Sequence, residues 1–438
     1  MMCRGLSRTH LAAFAFSGAH AALLVAGLCL VLEPFAILFP WGHPFVVALI
    51  HLLTQGWILG SALAAISLFG PGAFQLAPTP RVPLLVLLVS WGSGTALFAV
   101  GHFRGIPSLR AFGGLLLSLA LGSAGLGLAF LSLRGLKPAW ILRLGFGLSG
   151  LLLIPVAFLG GWVSVSGSLP LGTLPPAPSE ARAAHFFLAG FGWTGTLVSV
   201  AGSRMVPMML ATPLPKPRTI LFTTFGFAGG AVLVALALVR SSALLGLLGR
   251  LALTATTFLL AAVHLSVLRN RHRPSKQLQQ PDAGAFLAVL GIGFFALSGG
   301  MELVALLSEA LSGSFRTVPL TPPSSLVFAL AGASTLVAAV WNRFAPYLAW
   351  QQERWALGGK PPAMGPEAVA PFTLRWIAAI AWSLGVAGLL AGWWWTQLDV
   401  VRWSGAAVSI AGSGSTAIWL VSRKAFRQLK KNGSSEQI

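Results

Sequence analysis

Four histidines are the side chains of this sequence best suited to bind a metal ion or a metal-containing cofactor. His51 stands at the head of the apolar segment HLLTQGWILGSALAAISLFGP (51–71) and is its only ionisable residue. A neutral imidazole nitrogen is a common ligand for zinc, copper, iron and nickel. We therefore expect His51 to be the first ligand and one of His185, His43 and His102 to be the second. The alternative is that each imidazole only hydrogen-bonds between helices or meets the solvent boundary.

Glu302, in the apolar segment LSGGMELVALLSEALSG (297–313), is the carboxylate that stands out. It lies about a turn and a half from the end of its segment, and the preceding Gly299 and Gly300 allow a helix or water to approach it closely. Two interpretations stay open. Glu302 is either a buried carboxyl that relays protons, or a glutamate near a helix end whose carboxylate reaches water, with Glu309 two turns further on.

The length and composition of the chain place these residues in a membrane protein. It has 438 residues, of which 56% are hydrophobic and only 9% charged, whereas soluble domains carry roughly a quarter of charged residues. Twelve apolar runs are each long enough, at about 20 residues, to cross the hydrocarbon layer as a helix. We predict an all-α polytopic bundle that forms a single integral membrane domain over 1–438. The predicted spans are approximately 9–32, 44–69, 82–101, 108–132, 140–165, 184–210, 219–239, 247–268, 284–308, 323–345, 371–394 and 403–422.

The basic residues are divided unevenly between the two sides of this topology. Of the 29 lysines and arginines, 22 fall in the two termini and the even-numbered connections and 7 in the odd-numbered connections. Positively charged loops stay in the cytoplasm, so both termini are predicted to be cytoplasmic and the chain to lie in the inner membrane. The basic stretches RNRHRPSK (269–276) and RKAFRQLKK (423–431) are therefore expected to contact lipid headgroups rather than nucleic acid.

A short pattern recurs every four spans. The dipeptide Gly-Trp is followed by a proline 14 residues after the tryptophan in both 56–71 and 192–207. Counting back 14 residues from Pro346 reaches Gly332, a degraded copy of the same frame. These three positions lie in spans two, six and ten, which predicts three quasi-equivalent repeats of four helices. The predicted repeats cover about 1–138, 139–280 and 281–438.

This arrangement resembles subunit I of the heme-copper oxidases, and most closely the divergent NnrS-like branch. The resemblance rests on twelve spans in groups of four, on histidines near one end of spans two and six, and on the segments HLLTQGW (51–57) and AHFFLAGFGWTGTLVSVAGSRMVPMM (184–209). The resemblance in architecture covers the whole chain, whereas the sequence motifs that match are short. It implies a protein linked to respiration or to nitric-oxide metabolism, either as a heme protein itself or as a partner of other respiratory subunits.

The family's metal ligands carry over only in part. A low-spin heme in this family lies between a histidine of span two and a histidine of span ten. His51 matches the first of these. Span ten of this sequence has no histidine, and Leu326 and Ser324 occupy the aligned positions. A copper ion takes a histidine from span six, matched by His185, and two from span seven, which has none. The only tyrosine is Tyr347, at the cytoplasmic end of span ten. The resemblance thus implies one b-type heme, no copper, and no reduction of oxygen by this chain alone.

A different class of function stays open beside this one. A polytopic transporter or permease without a cofactor would use the histidines and Glu302 to line a proton or solute path. The four-span recurrence favours the first interpretation, since transporters more often show broken helices and paired charges at mid-membrane. The sequence has no Walker loop and no HExxH, CxxC or CxxCH motif, which argues against an ATPase, a zinc protease, a thiol redox protein and a c-type cytochrome. Whether the chain is an enzyme stays undecided at this stage.

Overall fold

The computed structural model describes residues 7–40, 42–134, 140–166, 178–210, 212–269, 282–312, 324, 327–359, 362 and 364–433. In these ranges the chain is almost entirely helical, and twelve helices are long and apolar enough to cross a membrane. This confirms the predicted all-α bundle. The helices are α1 (Arg8–Leu32), α2 (Pro44–Phe69), α3 (Arg81–Phe103), α4 (Pro107–Leu133), α5 (Trp140–Ser166), α6 (Ser179–Leu210), α7 (Pro217–Arg240), α8 (Ala243–Arg269), α9 (Ala283–Ser312), α10 (Val327–Ala356), α11 (Phe372–Trp395) and α12 (Leu398–Gln428).

Two helices run further than the apolar runs suggested. α10 continues past the predicted end at 345 to Ala356, and the helical backbone of α12 continues past 422 and beyond Gln428 to Gly433. In the extension of α10, Gln352 and Glu353 are buried whereas Arg354 and Trp355 are exposed, and the helix continues through all four residues. The length of an apolar run therefore measures the part of a helix that lies in lipid and underestimates the full length of the helix.

Helices α2, α6 and α10 form the centre of the bundle. In their most apolar stretches 67, 67 and 72% of residues are buried, against 33–56% in the other nine helices. Those nine surround them, and α1 packs along α12, so that the chain closes on itself. Large apolar side chains such as Leu119, Phe158 and Phe222 are exposed on the outer helices. An exposed apolar surface of this kind suits lipid, and the chain is accordingly a multi-pass membrane protein.

The three central helices share a local distortion. Each contains a π-helical stretch: Leu52–Leu59 in α2, Leu188–Trp193 and Val198–Gly202 in α6, and Val327–Ala333 in α10. A π turn adds a residue to the helical turn and is frequent at functional sites. The distortion recurs at the same four-span spacing as the sequence pattern, and in α2 it begins directly after His51.

The N-terminal end of the bundle is held by polar contacts between loops and helices. Arg8 donates to the backbone oxygen of Thr79, and Asp282 binds Arg375 at 2.9 Å and Arg343 at 2.8 Å. Burial alone would raise the pKa of the Asp282 carboxyl, but the charges of Arg375 and Arg343 outweigh burial and hold this pKa below its ordinary value. Asp282 thus joins the start of α9 to α10 and α11.

Candidate functional site

A cavity of about 400 Å³ opens between α2, α3, α4, α5 and α6, near the end of the bundle opposite the N-terminus. Its volume falls within the range of about 300–1,000 Å³ that is typical of cofactor and small-molecule sites. Three of the four histidines singled out above line this space, which we call the histidine cavity: His51, His102 and His185. The other lining residues that matter below are Val47, Ile50, Phe98, Arg110, Gly160, Ser164, Ser179, Arg182, Phe186 and Phe187.

His51 is held in one tautomer by its own helix. Its Nδ1 lies 2.8 Å from the backbone oxygen of Val47, one turn earlier. A carbonyl oxygen can only accept, so Nδ1 carries the proton and Nε2 keeps its lone pair. Metal-binding histidines usually show this arrangement, in which the second ring nitrogen donates to a backbone carbonyl or a carboxylate. The neighbouring Thr54 donates instead to the backbone oxygen of Ile50.

His185 is oriented in the same way by a different helix. Its Nδ1 donates to the backbone oxygen of Val156 in α5, at 2.9 Å, so its Nε2 also keeps a lone pair. Gly160 makes the contact possible, because a Cβ atom at that position would lie 2.9 Å from Cε1 of His185. Such a distance is shorter than ordinary van der Waals contact. The glycine in α5 therefore allows the imidazole from α6 to lie against the helix backbone.

The rings of His51 and His185 both line the cavity and lie nearly parallel to each other. Their centroids are 6.3 Å apart and their planes differ by 8°. Two imidazoles that bind one metal ion from opposite sides, with metal–nitrogen distances of about 2 Å, place their ring centroids about 6 Å apart. Neither Nε2 makes a hydrogen bond within the described part of the chain. The centroid distance and the unprotonated Nε2 atoms are thus compatible with two imidazoles that bind one metal ion.

His102 and His43 are placed differently from this pair. His102 lies beside Phe98, with ring centroids 4.5 Å apart, and Phe98 lies 4.7 Å from His51. Among the residues that the structure describes, none is a hydrogen-bond partner of the buried Nδ1 atom of His102. His43 is exposed outside the cavity, where its ring contacts Phe39 and its Nδ1 accepts from the backbone of Phe45. His43 therefore caps the start of α2 and is not brought together with the other three.

The cavity carries positive charge at its mouth. Arg110, in the first turn of α4, and Arg182, in the first turn of α6, both line it, and no aspartate or glutamate does so among the residues described. The sequence analysis did not single out these two arginines, although their place in odd-numbered connections was informative. The odd-numbered connections hold only 7 of the 29 basic residues, so an arginine on that side is exceptional.

No group of three His, Cys, Asp or Glu side chains within the described ranges converges closely enough to hold one metal ion. The cavity instead offers two aligned imidazoles, with the third ring set apart behind Phe98. This donor set suits a metal whose remaining coordination positions come from a bound macrocycle rather than from protein.

Glu302 lies in a different sector of the bundle. It is buried in α9 and accepts from Arg250 in α8 at 2.6 Å and from the hydroxyl of Ser324 at 2.7 Å. Arg250 also donates to Glu309 at 2.8 Å. We call Arg250, Glu302 and Glu309 the arginine–glutamate cluster. Of the two interpretations above, the structure shows the carboxylate buried and paired with an arginine, and a role in proton transfer stays a prediction.

Aromatic side chains fill the space beside this cluster. Phe328 of α10 is fully buried, and the rings of Phe191, Phe227 and Phe295 have their centroids 4.9–5.1 Å from it. The space that Arg250 and Glu302 line among the described residues measures about 10 Å³, enough for about one water molecule. Phe187 lines both this small space and the histidine cavity.

Two further cavities are apolar. One of about 90 Å³ lies between the three central helices, and one of about 160 Å³ lies between α1, α2, α10, α11 and α12. Leu326, which is aligned with His51, lies outside the described residues. Ser324, which is aligned with His185, is described and donates its hydroxyl to Glu302.

No protein-family model matches the chain, and no curated protein matches it. The geometry of the histidine cavity is therefore the observation from which a function has to be argued.

Proposed function

We propose that this chain is a membrane protein of the heme-copper-oxidase-like type and that one b-type heme would be held in the histidine cavity by His51 and His185. The two imidazoles support this proposal, because both present an unprotonated Nε2 and their centroids are 6.3 Å apart. The four-span recurrence of the Gly-Trp frame and of the π-helical stretches supports the architectural part.

The walls of the cavity suit a large apolar ring. Phe98, Phe186 and Phe187 present aromatic surfaces, and Val47 with Ile50 adds aliphatic surface from α2. A bound heme with two histidine ligands would supply one-electron transfer. In this site the protein's residues would orient the ligands through the carbonyls of Val47 and Val156 and would limit the access of water.

Copper has no place in this proposal. Span seven offers no histidine, and the sector next to it is filled by Phe191, Phe227, Phe295 and Phe328. Tyr347 lies far along α10, stacked on Phe69 and Trp350. We therefore propose electron transfer, in respiration or nitric-oxide metabolism, rather than reduction of oxygen by the isolated chain.

Absorption spectroscopy of the purified protein tests the proposal. Protein expressed with ample heme should show a Soret band of a low-spin, six-coordinate heme. His51→Ala should abolish this band, and His185→Ala should leave at most a weak high-spin spectrum, because one axial ligand is lost. His43→Ala is the matched control and should retain the full low-spin band, since His43 lies outside the cavity.

Two outcomes would contradict the proposal. A full Soret band in the double variant His51→Ala/His185→Ala would show that heme binds elsewhere. Wild-type protein without any Soret band, despite ample heme, would favour the cofactor-free transporter, for which proton or solute flux in proteoliposomes is then the next measurement.

A further inference from the structure

The apolar cavity of about 160 Å³ lies beside the central helices α2 and α10, and we call it the α2–α11 cavity. The described residues that line it are all leucine, isoleucine, valine, alanine, phenylalanine or tryptophan. One of the two tryptophans, Trp382, directs its N–H group elsewhere, because its Nε1 donates to the hydroxyl of Thr335 at 2.9 Å. The lining therefore offers an occupant almost nothing except apolar surface.

A lining of this kind excludes several classes of occupant. A bound water molecule needs two to four polar partners, and a metal ion needs nitrogen, oxygen or sulfur ligands. The described lining residues supply neither. An apolar molecule, in contrast, is stabilised by contact with such walls. An apolar cavity of about 150 Å³ can hold benzene, so the α2–α11 cavity has room for roughly six carbon atoms or more.

The α2–α11 cavity is elongated along the helix axes. Its wall on α2 is a stripe at positions i, i+3, i+4 and i+7, formed by Val46, Leu49, Ile50 and Leu53. Its wall on α11 is a longer stripe of the same kind, formed by Trp382, Val386, Leu389, Leu390 and Trp393. At a rise of 1.5 Å per residue the two stripes are about 10 and 16 Å long. A volume of about 160 Å³ spread over such a length is narrow, which suits an extended chain better than a compact molecule.

One end of the cavity adjoins the apolar outer surface of the bundle. Trp393 is half-buried, and the next two residues, Trp394 and Trp395, are 69 and 65% exposed. Phe39 lines the same cavity, is half-buried and follows the exposed Leu38. Exposed tryptophans at the end of a span are typical of the level of the lipid headgroups. The cavity therefore continues from the surface that lipid covers.

We propose that the α2–α11 cavity binds one hydrocarbon chain of a membrane lipid, extended along α2 and α11. A lipid chain is apolar and narrow, and in a bilayer it runs in the same direction as the spanning helices. Its source is either the acyl chain of a phospholipid or the chain of an isoprenoid lipid. The inference does not depend on heme. Ile50 lines both this cavity and the histidine cavity, so the bound chain lies beside the helical turn that carries His51.

Photo-cross-linking of the full-length protein tests the proposal. The protein is loaded with phosphatidylcholine that carries a diazirine on one acyl chain, washed with excess unlabelled phosphatidylcholine and irradiated. Labelled peptides are then identified by mass spectrometry. Lipid on the outer surface exchanges during the wash, so the label should be enriched about tenfold at 46–53 and 382–393 over peptides that contain the exposed Leu119 or Phe158.

Variants that fill the cavity should remove this label. Ala331→Phe adds a ring from the buried side of α10 and should lower labelling of both stripes about tenfold, because the ring takes the space of the chain. Leu390→Trp fills the cavity from the half-buried side of α11 and is the second variant in case the first does not fold. Leu119→Phe, at a position that is 68% exposed, is the matched control and should keep the wild-type pattern. Thermal unfolding shows which variants are folded.

A second arm repeats the experiment with farnesol that carries a diazirine. Retention of the acyl probe alone identifies a phospholipid chain, retention of the farnesol probe alone identifies an isoprenoid chain, and retention of both shows that the site recognises the chain and not its polar end. The proposal is wrong if, after the wash, neither probe labels the two stripes more than the outer helices. Full labelling in a folded cavity-filling variant would also overturn it. Neither result affects the heme proposal, which the Soret band tests separately.

Discussion

The histidine cavity and the arginine–glutamate cluster occupy comparable positions in successive sectors of the bundle, yet they are built in opposite ways. His185 precedes the π-helical stretch of α6 by three residues, and Ser324 precedes that of α10 by three. Around His185 a cavity of about 400 Å³ remains, whereas the space that the described residues leave beside Glu302, the hydrogen-bond partner of Ser324, is about 10 Å³. The same local frame thus supports an open site in one sector and a packed core in the next.

The difference indicates a division of roles. Arg250 and both of its carboxylate partners are buried or nearly so, and removing one member would leave a buried charge without its partner. The imidazoles of the cavity are neutral donors to backbone carbonyls and can be removed without leaving a charge behind. We therefore expect the arginine–glutamate cluster to contribute stability and the histidine cavity to contribute binding.

The largest effect should follow from removing the cation of the cluster. Arg250→Met leaves Glu302 and Glu309 without their partner and should destabilise the protein by about 3–5 kcal/mol, measured by thermal unfolding in detergent. Arg402→Gln, which breaks the exposed pair with Asp399, is the control and should change stability by less than about 0.5 kcal/mol. Comparable melting temperatures for the two variants would contradict the assigned role. The triple variant Arg250→Met/Glu302→Leu/Glu309→Gln should recover much of the loss, because no buried charge is left unpaired.

Opening the packed sector should be the next largest perturbation. Phe328→Ala removes the ring at the centre of the phenylalanine group and should cost about 3 kcal/mol, since the surrounding rings can collapse only partly. Phe186→Ala, at the half-buried wall of the histidine cavity, should cost less than half as much because free space already adjoins it. Equal losses of melting temperature would show that the two sectors are packed alike.

A smaller change of stability with a specific spectral effect is expected at Gly160. Gly160→Ala places a methyl group 2.9 Å from Cε1 of His185 and should displace that ring, at a cost of about 1 kcal/mol. In heme-loaded protein the low-spin spectrum should shift toward high spin. Gly92→Ala, where the added methyl group meets open space, should change neither the spectrum nor the melting temperature. An unchanged low-spin spectrum in Gly160→Ala would remove His185 as an axial ligand.

The smallest expected effect is a local loss of stability at acidic pH. The pKa of Asp282 is lower in the folded protein than in the unfolded chain, so its contribution to stability is fully present above the ordinary aspartate pKa of about 3.9 and is lost as the pH falls through the folded value. Acid should therefore loosen the start of α9, which also carries Glu302, before it affects α2. Hydrogen exchange measured across this pH range should show earlier loss of protection in α9, and Asp282→Asn should abolish the difference. Simultaneous loss in both helices of wild type would contradict this order.

Several features of the site followed from the sequence because they are local. His51, His102 and His185 could be assigned to one end of the bundle by counting apolar runs, since each helix crosses the membrane in the direction opposite to the one before. The four-span frame of Gly-Trp located the three helices that prove to be central. His43 was included among the candidate ligands for the same reason. However, the side of the membrane on which a residue lies does not specify the direction in which its side chain points.

The partners of these residues could not be inferred in this way. The carbonyl of Val156 that orients His185 belongs to another helix, 29 residues away in sequence, and the arginine that pairs with Glu302 is 52 residues away. Nothing in the local sequence of α5 distinguishes Gly160 from its other glycines, and its role depends on the ring that approaches from α6.

The amino-acid sequence by itself determined that this protein is an all-α bundle of twelve membrane-crossing helices, because the length and composition of each apolar run decide whether a helix is stable in lipid. Only the tertiary structure decided which histidines face each other, which sector stays open and which is filled. Those outcomes depend on how each helix is rotated about its axis and how closely its neighbours approach. Both are set by the packing of side chains from distant parts of the chain.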